Sequence, residues 1–389
     1  MKVQEGKFII AAHVLWYATA HALKDYLLTK KPNVVVFLQL PFVTRNRLNV
    51  DVYHQQKHVL AKEFKRHSYP EIINYVLDFL QVLRWSLVQP GRHYIFIGED
   101  PLNCMAGIFL KIITKIDKVI FYSIDFSPTR FANPLLNYIY HSLEKICVIF
   151  ADETWNVSPK IAEGRQQFLN LSPTKHPQKV VPVGIWPNEI VLNPIGENTI
   201  RKYHLIFMGH LLEKQGVQMV LEAVPLIIKI IPNFIFAIIG EGPYAKQLHQ
   251  QTKHLKVSQH VIFTGSIPGH DELNRMMDHG LCAVALYKPE PDKKLNFTYY
   301  ADPGKIKEYL ARGLPVITTN VPYNAHEITR RQCGLVVNYN KEEVSHAIIS
   351  LLRNKQTLAE YSKNALSFAR EFTWDNVYTN AFAESYGQH

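Results

Sequence analysis

The stretch YYADPGKIKEYLARGLPVITTN, Tyr299 to Asn320, decides how this chain is read. Two apolar runs short enough to be buried strands frame its centre, LCAVALY (Leu281 to Tyr287) before it and VITT (Val316 to Thr319) at its end. Between them, Asp302 has the chemistry of a helix cap, Pro303 suits the first helical position, and Gly313 followed by Pro315 supplies a stop. The segment is therefore expected to run strand, loop, helix, strand. Its first helical turn presents Gly304 and Lys305, so free backbone N–H groups, the positive end of a helix dipole and an ammonium share one place. An anion fits there. Glu308 lies one turn further on, about 5 to 6 Å along the axis, where a carboxylate accepts hydrogen bonds from a ribose diol. Phosphate and ribose together point to a nucleotide.

Working outward, strand and helix patterns alternate, which predicts an α/β architecture with parallel sheets. In the first half Phe8–His13, Val34–Leu40, His93–Gly98, Lys118–Ile124 and Cys147–Glu153 read as strands; in the second half His204–Gly209, Phe234–Gly240, Val261–Gly265 and Gly334–Asn338 join the two framing runs. Lys179–Pro194, with three prolines and a glycine, reads as a linker. Helical patterns fill Lys341–Asn354 and Gln356–Glu371, and the tail Phe372–Tyr386 is a last amphipathic one. The expected domains are residues 1–185, with 372–389 packing back on them, and residues 186–371.

A chain of 389 residues, nearly half of them apolar, supports two cores. Cys104, Cys147, Cys282 and Cys333 show neither metal-ligand spacing nor a paired framework, so free thiols in a reducing compartment are expected. The N-terminus lacks a small-residue cleavage site, and the longest apolar candidate for a span, Ala223–Ile239, is broken by Lys229 and Pro232. A cytoplasmic protein is expected. Net charge is +10, unevenly spread: residues 1–188 carry 22 basic against 14 acidic side chains, residues 189–389 carry 21 against 19. The basic first half, with clusters at Arg45 and Arg47 and at Lys62, Lys65 and Arg66, suits an anionic membrane surface on the inner face or an acidic lipid-linked acceptor. Those clusters lack the aromatic interleaving of an RNA-binding module, so nucleic acid is not an expected partner.

The opening stretch resembles the donor-binding region of GT-B glycosyltransferases, in particular glycosyltransferase family 4 (glycosyl transferases group 1), where two glutamates separated by seven residues precede a pattern like EYLARGLPV, here Glu308 to Val316. HLIFMGHLLEKQGVQMVLEAV (His204–Val224), IIGEGPYAKQL (Ile238–Leu248) and VIFTGSIPGHDEL (Val261–Leu273) are similar to further units of that domain in the same order. The resemblance implies two Rossmann-like domains facing across a cleft, a C-terminal helix crossing back to the first domain, and transfer of a sugar from a UDP- or GDP-linked donor to a polysaccharide, oligosaccharide or lipid-linked acceptor with retention. It also implies that Glu308 holds the donor. The first glutamate of the pair falls on Tyr300, so either the nearby Asp302 substitutes for it or sugar recognition is altered.

In the family's diphosphate loop, Gly209 to Val217 here, His210 occupies the arginine position and Gln215 the lysine position, with Lys214 beside it. Lys305, Lys214 and the helix ends near Gly304 and Gly242 are expected to stabilise the leaving diphosphate, without metal and without any other cofactor. Asp125, after the strand Lys118–Ile124, is the candidate for orienting the acceptor hydroxyl, and His13 and His21 are acceptor-side candidates in a segment, His13 to Ala22, that lacks the usual glycine. Two rivals share the fold: a sugar-nucleotide-binding protein without transferase activity, prompted by Tyr300 and His210, and a nucleotide-sugar epimerase or phosphorylase.

Overall fold

The computed structural model describes residues 3–14, 19–42, 47–66, 69–196, 198–292 and 297–386. They form two compact units, residues 1–182 with 374–389 and residues 183–373. Arg45 of the first basic cluster and residues 15–18 of the His13 to Ala22 segment lie outside the described residues.

Unit 1 holds strands β1 (Lys7–Val14), β2 (Val34–Pro41), β3 (Arg47–His54), β4 (Lys57–Lys65), β5 (Tyr94–Gly98), β6 (Ile116–Ser123), β7 (Glu153–Asn156) and β8 (Gln178–Val180) in the sheet order β4-β3-β2-β1-β5-β6-β7-β8. Its helices are α1 (Thr19–Thr29), α2 (Glu71–Leu87), α3 (Pro101–Ile112), α4 (Pro134–Phe150) and α5 (Pro159–Leu169). The last three start alike. Asp100, Asn133 and Ser158 each accept a first-turn N–H through the side chain, and the proline that follows takes a position where its missing N–H costs nothing.

Two expectations are corrected in this unit. The sheet is not wholly parallel, because β3 pairs antiparallel with both β2 and β4, reaching β4 through a turn at Gln55 and Gln56, both at positive φ. The apolar run Cys147–Phe150 closes helix α4, and the strand begins only at Glu153. Cys147 and Val148 face the core while Ile149 and Phe150 are exposed, so the run contains one turn of helix with two sides and not a buried strand.

Unit 2 holds β9 (Tyr203–Met208), β10 (Phe236–Ile239), β11 (Val261–Gly265), β12 (Gly280–Ala285), β13 (Val316–Thr319) and β14 (Gly334–Val337), all parallel, in the order β11-β10-β9-β12-β13-β14. That is the Rossmann order, with its switch point between β9 and β12. Its helices are α6 (Val217–Ile227), α7 (Ala245–His254), α8 (His270–Met277), α9 (Phe297–Tyr300), α10 (Gly304–Ala311), α11 (Ala325–Arg330), α12 (Lys341–Arg353) and α13 (Lys355–Glu371). The tail helix α14 (Trp374–Tyr386) belongs to unit 1: Phe382 packs against Phe8, Tyr26 and Trp155, and the Tyr378 hydroxyl donates to the Thr19 carbonyl at 3.0 Å. Among the described residues, no helix is long and apolar enough to cross a membrane.

Unit 1 also buries an ion cluster. Arg165 is fully buried; its Nε donates to Glu144 at 3.0 Å and one guanidinium nitrogen donates to Asn156 and Gln178. Burial alone pushes the Glu144 carboxyl up, but Arg165 and His141 outweigh it and hold the group below its ordinary value of 4.5. A depressed carboxylate contributes stability above its unfolded pKa and loses it as pH falls through the folded one. Arg165→Met leaves Glu144 buried without its main counter-charge and is expected to cost unit 1 about 3 to 5 kcal/mol in urea unfolding. Glu144→Gln is expected to flatten the acid limb of the stability curve below about pH 4.5; identical acid limbs for it and the wild type would remove Glu144 from the account.

Candidate functional site

The strand ends at the switch point of unit 2 put the candidate residues together. After β9 the chain turns at Gly209, whose φ of +139° is open to glycine and strained for other residues; a Cβ there would also lie 2.9 Å from the Lys305 ammonium. Lys305 sits in the first turn of α10 and donates to the Gln215 side-chain carbonyl at 2.5 Å, with the Phe207 ring 4.4 Å from its nitrogen and the Tyr287 ring at 5.7 Å. Burial pulls the ammonium down to about 7, against the pull of Glu308 in the other direction. Gly209, Gln215 and Lys305 are thus neighbours, although 90 residues separate the last two.

Helix α10 is locked in place from both sides. The Tyr309 hydroxyl accepts from the Met208 N–H at 2.6 Å, tying the helix to the end of β9. Lys307, fully buried, donates to the Val183 carbonyl and to Asp302, whose carboxylate also accepts from the Val183 N–H at 2.7 Å. This corrects the expected cap. Pro303 occupies the capping position, Gly304 is the first helical residue, and Asp302 makes no cap bond because its carboxylate is taken by Lys307 and Val183. Burial raises the Asp302 carboxyl despite Lys307, and it lowers the Lys307 ammonium despite Asp302. An aspartate so engaged is a strut of the helix. Tyr300 is buried against Tyr299 in α9.

Glu308 follows one turn after Gly304, as expected. Burial pushes its carboxyl up, with His270 and Lys305 pulling down and Glu189 pushing up. Glu189 and His270, 3.6 Å apart, are members of this charged group that the sequence reading missed. Lys214 stands on a short turn, Glu213–Gln215, with its ammonium 4.9 Å from the Phe297 ring, and burial lowers its pKa. His210 is exposed beside Gly209. Gly242 is forced to be glycine by proximity, because a Cβ would fall 2.3 Å from the Leu211 carbonyl. It lines a groove of about 530 Å³ with Leu211, Gly240, Glu241, His249 and Phe263.

The candidates of unit 1 sit at the equivalent strand ends. His13, at the end of β1, is bonded to Asp100 at 2.8 Å and lies 3.5 Å from Asp78; burial lowers its pKa, but the two carboxylates raise it to about 9. It is an imidazolium clasp between β1, α2 and the start of α3. His21, on α1, meets the Gln39 side-chain oxygen at 3.2 Å. Asp125 is ion-paired with Arg130. Glu99, buried at the end of β5 with its carboxyl pushed up to about 8 by burial, is a further candidate that sequence reading passed over. The signal was available: like Asp125, it follows a strand. Among the described residues, no cluster of three or more His, Cys, Asp or Glu side chains is arranged to hold a metal.

Residues 196–368 match the family described as glycosyl transferases group 1. The alpha-monoglucosyldiacylglycerol synthase of Streptococcus pneumoniae is 27% identical over 189 residues, 46% of this chain and 40% of that protein. The chitobiosyldiphosphodolichol beta-mannosyltransferase of Debaryomyces hansenii is 20% identical over 392 residues, 89% of this chain and 80% of its own length. The chain therefore spans well under half of the synthase. Among solved structures, HepE from Anabaena in complex with UDP aligns with a TM-score of 0.67 at 14% identity, covering 97% of this chain and 99% of that one. The fold is that of the GT-B glycosyltransferases.

Burial brings the Lys305 ammonium down to about 7, and a diphosphate placed beside it favours the charged form, so binding there is expected to raise the value. Affinity for a nucleoside diphosphate is then full below about 7 and declines as pH rises through the bound-state value. Calorimetry with UDP and GDP at pH 8, in buffers of different ionisation heat, is expected to show uptake of about one proton. Lys305→Met should abolish that uptake and weaken binding about 10- to 100-fold, the worth of one charge-assisted hydrogen bond. An unchanged proton count in the variant would place Lys305 away from the phosphates.

Proposed function

We propose that the whole chain, whose residues 196–368 match the glycosyl transferases group 1, is a glycosyltransferase that moves a hexosyl group from a UDP- or GDP-sugar to a glycan or lipid-linked acceptor. The observation that carries this reading is the half-buried Lys305 ammonium over Gly209, at the N-terminal turn of α10, with Glu308 one turn beyond. Transfer breaks the bond between the anomeric carbon and the diphosphate, and negative charge grows on the departing oxygen. An ammonium and helix amides already oriented toward that oxygen, in a site partly cleared of water, stabilise it more than bulk solvent does. In this reading the cation is the protein's own, and no metal is required.

Glu308 grips the ribose and fixes the donor's register, while Lys214 and the amide of Gly242 extend the phosphate contacts. The acceptor hydroxyl attacks the anomeric carbon and gives its proton to the leaving phosphate oxygen on the same face, so the product keeps the donor's configuration. Asp125 of unit 1, ion-paired with Arg130, is the carboxylate proposed to bind the acceptor. The names of the two relatives, one an alpha and one a beta transferase acting on lipid-borne acceptors, support a lipid-linked acceptor and leave the stereochemistry to experiment.

A panel of UDP-, GDP-, ADP- and dTDP-sugars is expected to raise the melting midpoint only with the matching donor, and that donor should slowly release free nucleotide. Glu308→Ala is expected to remove both effects, and Lys305→Met to lower nucleotide release by about 10²- to 10³-fold. Binding without release would favour the sugar-nucleotide-binding protein that Tyr300 and His210 suggest. Anomeric coupling constants of the product then test retention: an inverted product, as a beta transferase would give from an alpha-linked donor, overturns the front-face route.

A further inference from the structure

A helix on the surface of a water-soluble fold turns its apolar stripe inward. Helix α2 does the reverse. Its buried positions include Asn74, Asp78 and Ser86, whereas Ile72, Ile73, Val76, Leu77 and Leu80, spaced to share one face, are exposed, Ile72 at 61% and Val76 at 55%. Helix α4 repeats the inversion, with His141 and Glu144 inward and Leu135, Tyr138 and Ile139 outward. Between these two packs α3, which exposes Phe109 and Ile112 and, just past its end, Ile113, so three adjacent helices each turn large apolar side chains outward. The asymmetry is confined to one unit: of the exposed large hydrophobic residues among the described ones, nineteen are in unit 1 and three in unit 2.

Basic side chains border that layer. The edge strand β4 exposes Lys57, Lys62 and Lys65, and it adjoins α2: the Lys62 ammonium lies 5.4 Å from the ring of Trp85 on α2, and the Arg84 guanidinium 5.7 Å from the same ring. The face is thus apolar at its centre and cationic at its rim, in the half of the chain that holds most of the surplus positive charge.

We infer that the α2, α3 and α4 layer of unit 1 docks on a bilayer containing anionic phospholipid, its apolar side chains entering the acyl boundary and the β4 lysines meeting headgroup phosphates. A second copy of the chain is a poorer occupant, because a two-fold contact brings two like-charged rims together where an anionic surface offers the opposite charge. The inference goes beyond the proposed transfer reaction and uses none of its residues.

Sedimentation of the full chain with phosphatidylcholine vesicles, with and without phosphatidylglycerol, tests it. The protein is expected to pellet with the anionic vesicles and far less with the neutral ones, and to be released in part by high salt. Combined Ile72→Glu, Val76→Glu and Leu80→Glu should cut the bound fraction about tenfold or more, with melting and nucleotide release unchanged because these side chains already face water. Lys62→Gln with Lys65→Gln should narrow the difference between the vesicle types. Glu308→Ala should pellet like the wild type, which separates this inference from the donor reading. Wild type left in the supernatant with anionic vesicles, or a triple variant that pellets undiminished, overturns it; a wild-type dimer that the triple variant dissolves into monomers assigns the face to a second copy.

Discussion

Keeping an ammonium partly out of water without a carboxylate bonded to it is costly, and the switch point of unit 2 is organised around doing so at Lys305. Gln215 supplies a dipole in place of a counter-charge, and the Phe207 and Tyr287 rings supply polarisable faces. None of these satisfies a full positive charge. In the proposed reading that deficit is what a diphosphate answers, and the anchoring of α10 to β9 keeps the ammonium where it is. Tyr309 holds one side of that helix to Met208, and the buried Lys307 with Asp302 holds the other to Val183. Two lysines two residues apart therefore have opposite roles. Lys307 is neutralised inside the fold, and Lys305 is left wanting an anion.

The same economy of charge appears in unit 1 with a different outcome. His13 gathers two carboxylates that raise its pKa to about 9, and Arg165 pairs with Glu144 inside the fold. Of these groups, Asp78 and Glu144 lie on the inward sides of α2 and α4, and several apolar side chains of those helices are left on the outside. The inversion is therefore a single arrangement in which burying the ion clusters and presenting a greasy face are two sides of the same helices.

Much of unit 2 could be read from the chain because each strand is a short apolar run closed by glycine or proline, and the helix after Pro303 carries its own start and stop. The β3 and β4 hairpin escaped because its turn, Gln55 and Gln56, has no glycine or asparagine, and because nearly every residue of β4 is exposed and shows no alternation. Cys147–Phe150 misled because four apolar residues fit a helix end as well as a strand; the Asn133 and Pro134 start signal upstream was the better guide. Around the candidate site, the placing of Gly304, Lys305 and Glu308 on successive turns of one helix followed from spacing. The meeting of Gln215 with Lys305 did not, since it depends on which side chains two distant loops place face to face. Asp302 looked like a cap because caps are local, and a buried lysine five residues on won the carboxylate.

Helix α14 lies at the end of the chain and yet completes the core of its beginning, where Phe382 closes over Phe8, Tyr26 and Trp155. During synthesis, residues 183–373 are a continuous stretch that can collapse on its own as soon as it leaves the ribosome, whereas the earlier residues must wait with an uncovered aromatic seam until the last helix emerges. The first half made is thus the last half finished, and nascent chains halted before residue 374 would be the ones that chaperones retain.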